Sequence, residues 1–310
     1  MKRKLGILNK LKNFLKSKLF FNLKSIYKKN FYIHIKKYRS VSESHPYSYE
    51  IKKFLEKPKL FKNFKRNRHY MGVVETVKEK EGYEYLKVLE SRNDGFLKKA
   101  LGSVLISDNI GNPLKYFYDG YSIPLSPTTL RYIKVASDLN ILFGKKFHNI
   151  AEIGAGYGGQ TLINDQILDV YSAKLFDLPH VNKLIEKYLN CFLLNGSYKT
   201  TFINNEVPIN YDLVLSNYAF SELPKDLQVT YIDKVLKKSK RGYLTMNSGL
   251  GGVFSDGKLS AIEILNQLPN VKFLEEYPLT YKYNYIVVWG YENSEKIDKN
   301  FKEKKYELNL

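Results

Sequence analysis

In the second half of the chain, short apolar runs alternate with amphipathic stretches. Phe147 to Ile153 is an apolar run that ends in four glycines within six residues, Gly154, Gly156, Gly158 and Gly159. A buried parallel strand turning sharply into a helix has this appearance. Val170 to Phe176 reads as a second strand closed by Asp177, and Leu178 to Leu194 as a helix with Pro179 in its first turn. A short third strand is expected at Thr200 to Ile203 and a fourth at Tyr211 to Ser216, followed by a helix to about Lys238. Gly242 to Met246 is the fifth strand, and Lys258 to Gln267 is helical. Val271 to Glu275 and Tyr285 to Trp289 are two more strands with no room for a helix between them. Parallel neighbours need a crossover of a dozen or more residues, so the last pair is expected to be antiparallel.

The first half has a different period. From Val41 to about Asn140 the pattern is helical, with a charged helix over Glu75 to Glu90 interrupted at Gly82, and another over Gly95 to Ser107. Tyr116 to Tyr121 is aromatic and loop-like, and Ser126 or Thr128 can cap a helix running through Leu142. Residues 1–40 place leucines at steps of three and four among lysines, a basic amphipathic helix pattern. The chain therefore divides into a basic segment 1–40, a helical cap 41–143, an α/β domain 144–292 and a lysine-rich tail 293–310 expected to be a solvated end.

Charge follows this division. The net charge is +19, yet residues 1–40 hold 13 Lys or Arg and no Asp or Glu, leaving +6 for the other 270 residues. The basic segment is too interrupted by lysine for a membrane span or a signal peptide. It suits an anionic membrane surface, a partner, or nucleic acid through phosphate contacts; a solvated tail is the plain alternative. The single cysteine, Cys191, excludes an internal disulfide and fits a reducing, cytoplasmic compartment; its apolar surroundings suggest a core position. No Cys and His cluster has zinc spacing.

Gly154, Gly156 and Gly159 have the G-x-G-x-x-G spacing, which lets backbone approach a ligand. Asp177, about 20 residues on, is placed for a ribose diol, a group shared by NAD and S-adenosylmethionine. Glu152, two residues before the first glycine, favours S-adenosylmethionine, whose amino-acid end carries an ammonium and a sulfonium.

The combination of Leu125-Ser126-Pro127-Thr128-Thr129-Leu130-Arg131-Tyr132, Glu152-Ile153-Gly154-Ala155-Gly156-Tyr157-Gly158-Gly159-Gln160, Asp177-Leu178-Pro179, Asn217-Tyr218-Ala219-Phe220-Ser221-Glu222-Leu223 and Arg241-Gly242-Tyr243 resembles the sugar O-methyltransferases of bacterial capsule and surface-glycan gene clusters. The likeness covers about residues 115–290 and leaves the basic segment outside. It implies a Rossmann-like class I methyltransferase, with a seven-stranded, mostly parallel sheet closed by an antiparallel hairpin and a helical N-terminal cap. It also implies methyl transfer from S-adenosylmethionine to a hydroxyl of a sugar, sugar nucleotide or glycan acceptor, without saying which sugar or position.

On that frame the ligand lies outside the carboxyl ends of the strands. Glu152, Gly154, Gly156, Tyr157 and Gly159 are assigned to the methionine end of the cofactor, Asp177 to the ribose, and Asn204 or Asn205 to the adenine edge or a turn. His180 is expected near adenosine or at the helix start. Glu222 is the leading candidate base, with a helix-start carboxylate as its alternative role, and Asn217 and Tyr218 could orient the acceptor. Tyr121, Thr128, Arg131 and Asn247 are candidates for holding a sugar or its phosphate. A divalent metal could assist deprotonation, though no carboxylate cluster demands one. Three other classes stay open. An RNA or DNA methyltransferase would use the basic arm but usually carries a proline pair where this chain has Asn217-Tyr218-Ala219-Phe220. An NAD-dependent oxidoreductase or epimerase is disfavoured by Glu152 and the terminal hairpin, and a non-enzymatic, membrane-bound assembly module with a vestigial cofactor fold is disfavoured because the expected site positions are intact. Glycan assembly at the inner membrane face would give the basic arm a use.

Overall fold

The computed structural model describes residues 43, 45–93, 95–205, 208–250, 255–291 and 294–304. The expected basic helix at 1–40 lies outside the described residues. Helix α1 (His45–Glu56) is followed by one-turn helices up to Met71, then α2 (Glu79–Ser91), α3 (Phe96–Asp108) and α4 (Pro127–Phe143). The α/β part runs β1 (Lys146–Ile153), α5 (Gly159–Ile167), β2 (Asp169–Phe176), α6 (Pro179–Leu189), β3 (Ser197–Thr201) and β4 (Tyr211–Asn217). It continues with α7 (Ala219–Glu222), α8 (Lys225–Lys234), β5 (Ser239–Met246), α9 (Ala261–Leu265), β6 (Lys272–Glu275), β7 (Tyr285–Trp289) and α10 (Ser294–Asn300).

These strands form one seven-stranded sheet in the order β3-β2-β1-β4-β5-β7-β6. β1 to β5 are parallel neighbours, and β7 runs antiparallel to both β5 and β6. The expected Rossmann-like architecture with its antiparallel close is therefore present. β7 inserts between β5 and β6, so β6 runs in the same direction as the parallel strands. Its carboxyl end reaches the same edge of the sheet as theirs.

Period-two alternation sends apolar side chains to both faces. Ile150, Leu213 and Leu215 join one buried cluster with the helical cap, and Ala151, Ile153 and Val214 join another on the opposite face. Coverage on both sides explains why the parallel strands read as continuous apolar runs. The cap helices and the sheet belong to one compact unit, His45–Leu310.

Helix α4 is buried nearly all round, charged residues included. Ser126 caps it by accepting from the backbone N–H of Thr129, and Pro127 occupies its first turn. Its Asp138 accepts bonds from Arg92, Lys134 and the Tyr243 hydroxyl, each at 2.6 Å. Burial by itself would raise the Asp138 carboxyl, but Lys134 and Arg92 hold it below its ordinary value.

Several boundaries differ from the sequence expectation. The third strand is Ser197–Thr201, while Ile203–Asn205 form a 3-10 turn; as an edge strand it lacks the apolar run that marks the others. The charged helix begins at Glu79 and is not broken by Gly82, where a Cβ would meet the Tyr118 hydroxyl at 2.1 Å. Cys191 is exposed rather than buried, because α6 ends at Leu189 and the chain turns outward. The C-terminal stretch is not simply a solvated end. Ile297 of α10 is buried, and the Glu275 N–H donates to the Lys302 carbonyl beside β6. Among the described residues, no helix is long and apolar enough to cross a membrane.

Candidate functional site

The strand order reverses between β1 and β4, and the ligand crevice of an open α/β sheet forms at the carboxyl ends there. Glu152 and Asp177 stand at adjacent strand ends, on β1 and just past β2. Glu152 is 4% exposed, and its Oε2 accepts from the Thr161 hydroxyl of α5 at 2.5 Å. Asp177 accepts from the Gly156 backbone N–H at 3.1 Å and from the Leu178 N–H at 2.8 Å. Burial pushes the Glu152 carboxyl up to about 7, with the Thr161 bond opposing and the Asp177 charge adding to the rise. Burial also takes Asp177 up to about 6, against its two backbone bonds. Among the described residues, neither carboxylate has an ion-pair partner. A buried glutamate and a partly buried aspartate therefore stand at one crevice with no ion-pair partner among the described residues, and each keeps lone pairs to spare, since a carboxylate accepts about four bonds.

The glycine loop owes its glycines to tight passage. Gly154 sits at φ +73, and a Cβ there would lie 2.0 Å from the Ala219 Cβ. Gly156, at φ +63, leaves its N–H to tether Asp177 and lies against Val74 of the cap. Gly159 lets α4 close onto α5, since a Cβ would meet Tyr132 at 2.5 Å. Tyr157 has no exposed surface, and its ring packs on Tyr188 at 4.9 Å with the Lys65 ammonium 4.4 Å from its centre. It supports the loop from beneath, so only its backbone is offered to the crevice.

A second space opens where β4, β5 and β6 end. It is a narrow cleft, about 10 Å³ of enclosed space and otherwise open to solvent, lined among others by Tyr85, Arg131, Asn217, Tyr218 and Glu276. Asn217 donates to Gln160 Oε1 at 3.1 Å, tying the end of β4 to the glycine-loop helix. Tyr218 adopts φ +68, a conformation a bulky residue rarely takes and that costs on the order of 1–3 kcal/mol. Its backbone N–H is held by the Thr245 carbonyl at 2.8 Å, and its hydroxyl makes a short hydrogen bond to Glu276. Burial, then the Glu276 charge, raises the Tyr218 hydroxyl well above its ordinary value. Glu276 also accepts from the Thr280 N–H at 2.9 Å. Arg131, from α4, is 8% exposed and lies 5.6 Å over the Tyr218 ring.

The other expected residues fall around these two spaces. Glu222 accepts from Asn247 Nδ2 at 2.8 Å, its backbone carbonyl accepts from Lys258, and burial raises its carboxyl. Asn247 is thus engaged with Glu222 and with Ser221, whose hydroxyl donates to its Oδ1 at 2.6 Å. Neither lines the cleft; its carboxylate is Glu276. Thr128 is buried on α4 beside Glu75. The Tyr121 hydroxyl donates to Glu90 Oε1 at 2.8 Å on the cap, away from the cleft lining. Asn204 and Asn205 are exposed in the 3-10 turn after β3. The His180 ring bonds the Ser48 hydroxyl at 3.2 Å, joining α6 to α1.

Sequence reasoning missed Glu276 and Tyr47. Glu276 follows β6 directly, and a carboxylate at the end of a strand was a usable signal once β6 is known to point the same way as β5. Tyr47 is 3% exposed and stacks on Tyr70 at 5.5 Å. Its hydroxyl is raised well above its ordinary value by burial and, next, by the Asp177 charge. No local pattern foretells that contact.

No protein-family model and no curated protein matches the chain. Among solved structures, it is similar to the pyocyanin biosynthetic protein PhzM at 14% identity and TM-score 0.38, covering 52% of this chain and 56% of that one. It is similar to the N-methyltransferase NodS from Bradyrhizobium japonicum WM9 at 14% identity and TM-score 0.39, covering 51% and 92% of the two chains. The mitomycin 7-O-methyltransferase MmcR gives 13% identity and TM-score 0.39, with 62% and 67% covered. The chain thus spans little more than half the length of PhzM. At overlaps this low, the fold rests on the strand order itself, a Rossmann-like sheet whose switch point holds two carboxylates with no ion-pair partner among the described residues.

Proposed function

We propose that the protein is an S-adenosylmethionine-dependent O-methyltransferase whose acceptor is a sugar or glycan hydroxyl. The observation that carries this reading is the Glu152 and Asp177 pair, a buried and a partly buried carboxylate at the switch point with no ion-pair partner among the described residues. A ligand bearing an ammonium and a sulfonium supplies the missing positive charge. A dinucleotide would instead bring the two negative charges of its pyrophosphate to the glycine loop. The chemistry of the donor set fits: Glu152 would face the amino-acid end, and Asp177, already oriented by Gly156, would take the ribose diol. When bound, the cofactor supplies a methyl group on a cationic sulfur.

The protein's own residues then have three tasks. Asn217 and the Tyr218 ring position the acceptor at the end of β4, so that its oxygen is held in line for displacement. As the carbon–oxygen bond forms, the acceptor proton passes to the Tyr218 oxygen while the Tyr218 proton passes to Glu276, so that Glu276 ends protonated. Val74, which lies against Gly156, would help keep water from the crevice, with the buried Tyr47–Tyr70 stack as part of the cap. The partly buried Tyr218 ring at the cleft suits the apolar face of a sugar ring.

Calorimetric titration with S-adenosylmethionine and with NAD, on the wild type and Asp177→Ala, tests the cofactor. Binding of S-adenosylmethionine alone, weakened at least tenfold by the substitution, is expected; binding of NAD alone would overturn the reading. Glu276→Gln should cut turnover about 10²-fold or more with cofactor affinity kept. If Glu222→Gln shows that behaviour and Glu276→Gln does not, the base is Glu222. The basic segment 1–40 is proposed to hold the protein on anionic membranes; its deletion should abolish binding to phosphatidylserine vesicles.

A further inference from the structure

We propose that the acceptor carries an anionic group, a carboxylate or a phosphate, and that Arg131 receives it in the cleft beside Tyr218. The inference rests on the methyl-transfer reading and narrows its substrate class.

A buried guanidinium is costly to desolvate unless an anion and hydrogen-bond acceptors surround it. Arg131 is 8% exposed, yet among the described residues no carboxylate lies within ion-pair distance of it. Its Nη2 makes a long bond to the Val74 carbonyl, 3.4 Å, the guanidinium also hydrogen-bonds the Tyr132 side chain, and its Nε is buried without a partner. The remaining support is aromatic: the Tyr132 and Tyr218 rings lie 5.5 and 5.6 Å from the guanidinium carbon. Rings hold the plane of the fork but do not satisfy its Nε–H donor.

The neighbouring charges do not take its place. Lys134, also in the cleft wall, is spent on Asp138 at 2.6 Å, which Arg92 shares. Glu276 shares the cleft, but its oxygens accept from Tyr218 and Thr280 and it is not within ion-pair distance of Arg131. Glu75 acts on Arg131 only at longer range. A neutral hydroxyl could fill one donor but could not balance the charge. A carboxylate or phosphate matches both the charge and the fork. An anion held there would lie beside the Tyr218 hydroxyl, where the acceptor oxygen must lose its proton, so one group would set both affinity and register.

The test compares D-glucuronate, glucose 6-phosphate and glucose as probes, titrated by ligand-observed NMR into the full chain saturated with S-adenosylhomocysteine. At least one anionic sugar should bind tenfold to a hundredfold tighter than glucose, and which one does separates carboxylate from phosphate recognition. Arg131→Gln should erase that preference while S-adenosylhomocysteine affinity stays within about twofold. If Arg131→Gln does not fold, Arg131→Lys carries the test, because it keeps the charge but loses the Nε–H and the fork. Equal or undetectable binding of all three sugars overturns the proposal, as does a preference undiminished in the variant. Failure to bind S-adenosylhomocysteine at all would instead overturn the methyl-transfer reading beneath it.

Discussion

Replacing Glu152 by glutamine should change how stability of the ligand-free protein depends on pH. The Glu152 carboxyl is enclosed at the end of β1, and burial, less the Thr161 bond and with Asp177 adding, lifts it from 4.5 to about 7. Below about pH 4.5 it is protonated in both folded and unfolded chains and contributes no difference. Between 4.5 and 7 the unfolded chain has already lost the proton while the folded one keeps it, so stability falls as pH rises, by about 1.4 kcal/mol per pH unit. Above 7 the folded state carries the whole penalty, about 3 kcal/mol. Glutamine keeps an oxygen for Thr161 and removes the charge. Its amide donors add a cost of their own, but that cost does not vary with pH. The wild type should therefore lose about 3 kcal/mol relative to Glu152→Gln between pH 5 and pH 8. Urea unfolding of both proteins, stripped of ligand, at the two pH values measures it. Parallel stability profiles would refute the claim that Glu152 is a charge waiting for a cationic ligand.

Three further outcomes follow from named contacts. Affinity for S-adenosylmethionine should rise about tenfold from pH 6 to pH 8, with proton release in calorimetry, because the cation requires an ionised Glu152; a flat profile would contradict this. Asp138→Ala should cost about 3–5 kcal/mol, since Arg92 and Lys134 would stay buried without their carboxylate. In the wild type that contribution is present above the ordinary carboxylate value and is lost as pH falls through the lower folded one, so acid unfolding should follow it. Gly154→Ala should destabilise by about 3 kcal/mol through its positive φ and the overlap with Ala219. Adding Ala219→Gly should recover the part due to overlap, and no recovery would place the whole cost in the backbone.

Much of the architecture was legible because parallel strands and their crossovers write themselves locally. Phe147 to Ile153 had to be buried on both faces, and the glycines after it had to turn. The stretch between Glu275 and Tyr285 was too short for a crossover, which forced the antiparallel pair. These are properties of neighbours in sequence, carried by periodicity and spacing. β3 was misplaced for the complementary reason, since an edge strand is only partly covered and shows no apolar run. Cys191 was misjudged because an apolar neighbourhood in sequence does not determine which way a helix end turns.

The site divides along the same line. Glu152 and Asp177 could be named from the sequence, because a strand end followed by a glycine turn fixes where their backbones lie. Glu276 could not, for it reaches Tyr218 only after β7 slots between β5 and β6 and brings together residues 58 apart in the chain. The isolation of Arg131 is likewise invisible in one dimension: Asp138, one helical turn beyond Lys134, looks available to either cation. Only packing decides that Lys134 and Arg92 claim it. Local periodicity determined the frame and the cofactor-side acids; long-range strand order and side-chain competition decided which charges meet and which are left facing the cleft.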